Sequence, residues 1–194
     1  MTFYKHLTAV IILAAGLLPA AAACAQAEPE ESRGPRAGLS LGGRAAYYRS
    51  RGAGSGEFSE GAQARYHLTR RWALELSADL RQESFPEAKV DVIPIQLSVL
   101  AYLMPHGYRL APYILAGGGW YYTHVYAPAD RTDFRFGPHA GGGVEYFLNT
   151  AWSFGGSYRY LWTEDINSQD LAHPLGRNLT DKGYMLTAAV NYSF

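Results

Sequence analysis

The stretch Trp72-Ala73-Leu74-Glu75-Leu76-Ser77-Ala78-Asp79-Leu80-Arg81-Gln82 decides the fold. Trp72, Leu74, Leu76, Ala78 and Leu80 alternate with Ala73, Glu75, Ser77, Asp79 and Arg81. A period of two is a strand period, because successive side chains leave an extended backbone on opposite faces; here one face is apolar and the other charged. The flanking sequence repeats the pattern. Residues 36–49 set Leu39, Leu41, Ala45 and Tyr47 against Ser40, Gly42, Arg44 and Tyr48. Residues 57–68 set Phe58, Ala62, Ala64, Tyr66 and Leu68 against Glu57, Ser59, Gln63, Arg65 and His67, with Glu60 breaking the order near one end.

Four more segments follow suit. Residues 90–103 carry Ile93, Ile95, Leu97, Val99, Ala101 and Leu103 opposite Pro94, Gln96, Ser98 and Tyr102. Pro94 cannot donate to a ladder, so it is expected near a strand end or at a bulge. Residues 134–148 place Phe136, Pro138, Ala140, Val144, Tyr146 and Leu148 opposite His139, Gly141, Gly143, Glu145 and Phe147. Residues 151–163 place Trp152, Phe154, Tyr158, Tyr160 and Trp162 opposite Ser153, Gly155, Ser157, Arg159 and Leu161. The final segment alternates Tyr184, Leu186, Ala188, Val190, Tyr192 and Phe194 with Met185, Thr187, Ala189, Asn191 and Ser193. In residues 110–123 the run Gly117-Gly118-Gly119 carries no side chain to read, and the facing stays open.

Eight candidate strands of roughly 10 to 14 residues, with no long helical pattern, predict an all-β chain. The connections at Thr69-Arg70, Pro105-His106-Gly107 and Asn149-Thr150 read as short, and those at 50–56, 84–89, 124–133 and 164–182 as longer. Short turns on one side and longer loops on the other predict an eight-stranded antiparallel up-and-down transmembrane β-barrel, with both termini at the short-turn, periplasmic rim.

Alternation alone also allows a soluble ligand barrel with its apolar face inward. Three features favour the inverted arrangement. The polar face combines Arg44, Arg65, Glu75, Asp79, Glu145 and Arg159 with small residues, a mixture that fills a narrow lumen by paired charges. The apolar face is rich in aromatics near strand ends, as Trp72, Trp152, Tyr66, Tyr146 and Tyr192, which suits a membrane interface. Strands of ~10 residues tilted by roughly 40° cover about 25 Å, the height of the apolar band of such barrels, and closure leaves no unpaired backbone in hydrocarbon. Counting back from the turn at Thr69-Arg70 puts Arg65 opposite Glu75 as one interior pair. The same count about Asn149-Thr150 puts Arg159 near His139, with Glu145 and Arg44 in a shared network.

Composition excludes other classes. The chain has 17 Lys plus Arg against 17 Asp plus Glu, which gives no electrostatic basis for a nucleic-acid partner. Its one cysteine, Cys24, rules out an intramolecular disulfide. Lys5 and His6, the apolar run 7–18 and the small residues Ala20 to Ala23 have the order of a secretory signal. The expected organisation is a signal peptide over 1–27, a short flexible leader over 28–35, and the barrel over 36–194. Cleavage after Ala23 is the alternative, and cleavage before Cys24 would make a lipoprotein, although Ala21 stands where such sites usually carry Leu.

Four stretches carry a family resemblance: Leu110-Ala-Pro-Tyr-Ile-Leu-Ala-Gly-Gly-Gly-Trp120, Gly141-Gly-Gly-Val-Glu-Tyr-Phe-Leu148, Gly156-Ser-Tyr-Arg-Tyr160 and the ending Val190-Asn-Tyr-Ser-Phe194. They resemble the eight-stranded outer-membrane barrel family that includes the OmpA transmembrane domain, the OmpW-like proteins and the opacity-type surface proteins. The resemblance implies residence in the bacterial outer membrane and a porin-like or OmpA-like barrel that is not an enzyme. It implies a role in membrane integrity or surface interaction, with OmpW-like passage of small hydrophobic solutes as the alternative. Leu186, Ala188, Val190, Tyr192 and Phe194 resemble the terminal signal read by the barrel-assembly machinery. The partners implied are outer-membrane lipid and lipopolysaccharide, and assembly machinery and periplasmic chaperones during biogenesis, for a monomeric protein without a cofactor. No peptidoglycan-binding domain is expected after Phe194, unlike full-length OmpA.

A lipid A-modifying enzyme is the least favoured reading. The lipid A deacylase family carries His-x-Ser on a lipid-facing strand, and none of the six histidines here has Ser two positions later. His67 precedes Thr69 but reads as inward-facing, as does His139, while His106, His124 and His173 read as connections. No close His pair has ligand spacing, and neither glycine triplet has the strand-turn-helix setting of a phosphate loop. The triplets instead relieve crowding in a narrow wall.

Overall fold

Two short connections share one piece of local chemistry. Thr69 Oγ1 accepts hydrogen bonds from the N–H groups of Arg71 and Trp72 at 3.2 and 3.1 Å. Asn149 Oδ1 accepts from Ala151 and Trp152 at 2.9 and 2.7 Å. Each side chain satisfies the donors exposed by the chain reversal, and Leu68 and Leu148 close the turns by donating to the carbonyls of Trp72 and Trp152, both at 3.0 Å.

The computed structural model describes residues 38–51, 56–84, 89–104, 109–126, 131–163 and 182–194. The expected signal peptide and leader, with Cys24, lie outside the described residues, as do His106 and His173. Eight strands follow in order: β1 Gly38–Ser50, β2 Glu57–His67, β3 Trp72–Ser84, β4 Lys89–Tyr102, β5 Leu110–Tyr126, β6 Arg131–Phe147, β7 Trp152–Leu161 and β8 Gly183–Ser193. Each is antiparallel to its sequence neighbour, and β8 pairs back onto β1, so the sheet is a closed barrel.

Register fixes the tilt. From Trp152 the ladder partners run through Tyr192, Leu41, Ala64, Leu76, Leu97, Gly118 and Pro138, and Pro138 accepts from the N–H of Trp162. The circuit thus returns to its own strand ten residues further on. That stagger over eight strands requires a tilt of about 40°, from a rise of ~3.3 Å per residue and a strand spacing of ~4.8 Å. Trp152 and Trp162 then stand about 25 Å apart along the barrel axis, at the two edges of an apolar band of the expected height.

The open facing of β5 is settled by burial: Ala111, Tyr113, Leu115 and Tyr121 point inward, while Ile114 and Trp120 point outward. Elsewhere the charged set is enclosed and the apolar set forms the outer wall, with Leu76, Leu97 and Phe154 exposed on it. Aromatic pairs mark both rims of that wall. Trp152 packs edge-on against Tyr192, which meets Phe194, each at 5.1 Å, while the opposite rim carries Trp120–Phe136 at 5.5 Å and Tyr160–Trp162 at 4.9 Å.

Four expectations are corrected. Residues 124–133 are not a long loop, since β5 runs to Tyr126, β6 starts at Arg131 and Val125 pairs with Arg131. His124 therefore lies on a strand. Where a hairpin rises past the apolar band both faces meet water, so polar residues there do not signal a loop. Likewise β3 and β4 leave only residues 85–88 between them, while residues 162–182 separate β7 from β8. Pro94 sits inside β4 with the same β3–β4 register on either side, which excludes a bulge; the ladder instead lapses at Ile93 and Pro94 and resumes. Arg159 stands opposite Gly141 and His139 opposite Leu161, because the turn centres on Thr150 and moves the pairing by two residues.

Candidate functional site

The inward faces converge on a network of three arginines and three carboxylates, all nearly fully buried. Glu75 on β3 is its hub. One carboxylate oxygen accepts from Arg65 on β2, through Nη2 at 2.6 Å and Nε at 3.1 Å. The other accepts from Arg159 Nη2 on β7 at 2.5 Å and lies 3.8 Å from Arg44 Nη1 on β1. Arg44 is held mainly by Asp79, with Nη2 at 3.0 Å and Nε at 2.8 Å from its two oxygens. Arg65 Nη1 reaches Glu145 on β6 at 2.7 Å, so a chain of ion pairs spans the lumen from β6 to β1.

Neutral groups complete it. Glu145 accepts from Tyr102 OH at 2.5 Å, Ser153 Oγ at 2.6 Å and Asn191 Nδ2 at 3.3 Å. Arg159 Nη1 donates to Gln96 Oε1 at 3.1 Å, and Gln63 Nε2 donates to Asn191 Oδ1 at 2.7 Å. The alternation places Gln96, Tyr102, Ser153 and Asn191 on the inner face but does not single them out. Only the stagger of ten residues brings together groups as far apart in sequence as Gln63 and Asn191.

The glycines make room for this filling. A Cβ at Gly117 would meet the Leu97 carbonyl oxygen and lie 2.8 Å from Ser98 Cα and 2.9 Å from His139 Nε2; one at Gly141 would meet the Tyr158 carbonyl oxygen and Arg159 Cα. Both positions lie hard against the backbone of the neighbouring strand, where extra atoms have nowhere to go.

Two apolar clusters pack beside the charges. Toward the short-turn rim Leu100, Tyr102, Tyr113, Leu115 and Phe147 pack together with Ala73 and Ala111. Toward the other rim Ala46, Tyr48, Tyr121, Leu161 and Met185 form a second cluster, and the Arg81 guanidinium lies 4.5 Å above the Tyr48 ring. The interior is thus filled by an ionic network packed beside two apolar clusters, with Ser40, His67, Ser153 and Asn191 buried in the short-turn half and Arg81 and Arg135 in the other. Beside the ionic network Ser98 Oγ and His139 Nε2 stand 2.8 Å apart, both buried. No carboxylate among the described residues orients His139 Nδ1, and Arg159 lies 3.5 Å from Ser98.

A family model described as the outer membrane protein beta-barrel domain matches residues 12–194. Among solved structures, Neisserial surface protein A aligns over 81% of this chain and 98% of its own, with a TM-score of 0.66 and 17% identity. OprG, an outer membrane protein of Pseudomonas aeruginosa, aligns over 84% and 99% with a TM-score of 0.59 and 19% identity. Ail, the attachment invasion locus protein of Yersinia pestis, solved with the heparin analogue sucrose octasulfate, aligns over 81% and 97% with a TM-score of 0.54 and 15% identity. At these identities the likeness is one of fold. Comparison with curated proteins finds no match.

Proposed function

The chain belongs to the outer membrane protein beta-barrel family, and we propose that within it this barrel is a sealed, non-enzymatic scaffold contributing to the integrity of the bacterial outer membrane. The observation that carries this reading is the filling of the lumen: a charge-balanced network and two apolar clusters pack against one another with their side chains almost wholly buried. Within the network itself three cations are matched by three anions. Arg44, Arg65, Glu75, Asp79, Glu145 and Arg159 are structural residues in this account, and Ser98 with His139 is interior packing rather than a nucleophile and base, since a working pair needs an orienting group and access to substrate.

Export through the signal at 1–27 delivers the chain to periplasmic chaperones. Leu186, Ala188, Val190 and Tyr192 on the outer face of β8, with Phe194 just after it, then serve as the signal for the assembly machinery, and the barrel inserts as a monomer with its short turns in the periplasm. Reconstituted in planar bilayers, the purified barrel should give no discrete conductance steps and should not accelerate swelling of sugar-loaded vesicles. A reproducible open channel would contradict the sealed lumen.

One observation favours the OmpW-like alternative of lateral passage for small hydrophobic solutes. The lapse in the β3–β4 ladder at Ile93 and Pro94 is a break in the described wall, at the level where Arg44 holds Asp79. Uptake of a hydrophobic fluorescent solute into cells with and without the protein separates the two, because lateral passage need not conduct ions.

A further inference from the structure

We propose that the outer wall across β7, β8 and β1 holds a site for a phosphorylated, acylated glycolipid of the outer leaflet. The inference rests on the membrane-barrel reading and adds a ligand site to it. Three rows of lipid-facing residues define the place. Tyr160, Tyr184 and Arg49 are ladder partners across the three strands. One step toward the loop rim stand Trp162, Lys182 and Arg51, with the Arg51 N–H donating to the Lys182 carbonyl at 2.8 Å. One step the other way stand Tyr158, Leu186 and Tyr47.

Arg49, Ser50, Arg51, Tyr160, Gly183 and Tyr184 line an open groove of about 410 Å³. Tyr184 leans onto Tyr158, with ring planes 20° apart and centroids 6.1 Å apart, which leaves the groove open beside Arg49. The axial spacing of Trp152 and Trp162 puts the two arginines at or just beyond the outer edge of the apolar band, where lipid phosphates lie. Among the described residues no carboxylate pairs with either arginine.

The wall below fits acyl chains. Gly156, Ala188 and Ala45 form one row there, with Gly43 beyond it on β1. A Cβ added at Gly43 would meet nothing within 4 Å, and one at Gly156 only the Thr187 carbonyl oxygen at 3.9 Å, so neither glycine is required by packing within the barrel. This leaves a shallow, smooth strip running from the cations toward the bilayer centre. Charge complementarity selects the occupant: guanidinium groups bind phosphate oxygens through paired, charge-assisted donors, and the aromatic collar suits a sugar headgroup at the interface.

The test uses the refolded barrel in nanodiscs of zwitterionic phospholipid, titrated with bisphosphorylated lipid A and read by native mass spectrometry. Heat-modifiable gel migration first establishes that the barrel is folded; failure there counts against the barrel reading and not the site. The folded protein should retain lipid A, and R49A/R51A should weaken retention about thirtyfold, at roughly fivefold per interfacial cation. Dephosphorylated lipid A should bind the unchanged protein as weakly as the double variant binds the phosphorylated form. Filling the strip with A45L/G156L should also reduce retention, whereas Arg71→Ala at the opposite rim should not. Equal retention by the wild type and R49A/R51A, equal retention of the dephosphorylated lipid, or pairing of two barrels through this wall in place of lipid would overturn the proposal.

Discussion

Glu75→Gln should destabilise the folded barrel by about 3–5 kcal/mol, the cost of breaking a buried ion pair by removing one partner. The substitution keeps shape and volume, so the effect comes from charge. With Glu75 ionised, three buried cations face three buried anions in the network; without it Arg159 loses the one carboxylate that pairs with it among the described residues, Arg65 keeps Glu145, and Arg44 keeps Asp79. The network adds little to stability over an apolar filling of equal volume, because desolvating six ions costs about what their attraction returns, but it is costly to leave incomplete. Urea unfolding in lipid vesicles measures the difference. R159Q combined with E75Q should cost less than the two single changes added, since the pair leaves together. Glu60→Gln, on the outer wall of β2, should stay within about 0.5 kcal/mol of wild type.

The second large effect is on the lipid face. Leu76 is midway along the ladder circuit from Trp152 to Trp162, which places it near the bilayer midplane. Leu76→Arg should therefore cost about 2–4 kcal/mol, and Leu39→Arg, at the short-turn rim beside Phe194, about 0–1 kcal/mol. The contrast matters more than either value. A soluble barrel with the same surface has no depth scale and would show similar small costs at both positions; equal costs in vesicle unfolding would remove the bilayer from the account.

These two expectations reflect how unevenly structure is written in this chain. The strands of the Trp72 segment and of the C-terminal segment are legible because a period of two survives wherever one face meets hydrocarbon and the other a filled lumen. The Arg65–Glu75 contact is legible because a four-residue turn fixes the register of its two strands. The hub role of Glu75 is not, since Arg159 and Arg44 reach it across strands whose offset depends on the stagger of the closed barrel, and no local pattern encodes a global closure. The extension of β5 and β6 was hidden for a different reason: beyond the membrane both faces of a hairpin are wet, and the alternation that reveals a strand is lost. Glycine-rich β5 kept its facing hidden because the information is carried by side chains, and Gly117 and Gly119 have none; their smallness is read only against the large groups they accommodate.

Which face of the strands meets lipid decides the role of every residue in the wall and the lumen, and a pairwise cysteine comparison tests that directly. With Cys24 ahead of the barrel as the only native cysteine, Leu76→Cys, Leu97→Cys and Phe154→Cys can be set against their neighbours Ser77→Cys, Ser98→Cys and Ser153→Cys in vesicle-embedded protein. A membrane-soluble maleimide should modify the first three, fastest at residue 154 near the rim and most slowly at residue 76 near the midplane where the thiol stays protonated, and leave the second three unmodified until the barrel is unfolded. Rapid modification at residues 77, 98 and 153, with 76, 97 and 154 protected, would turn the barrel inside out and contradict the account.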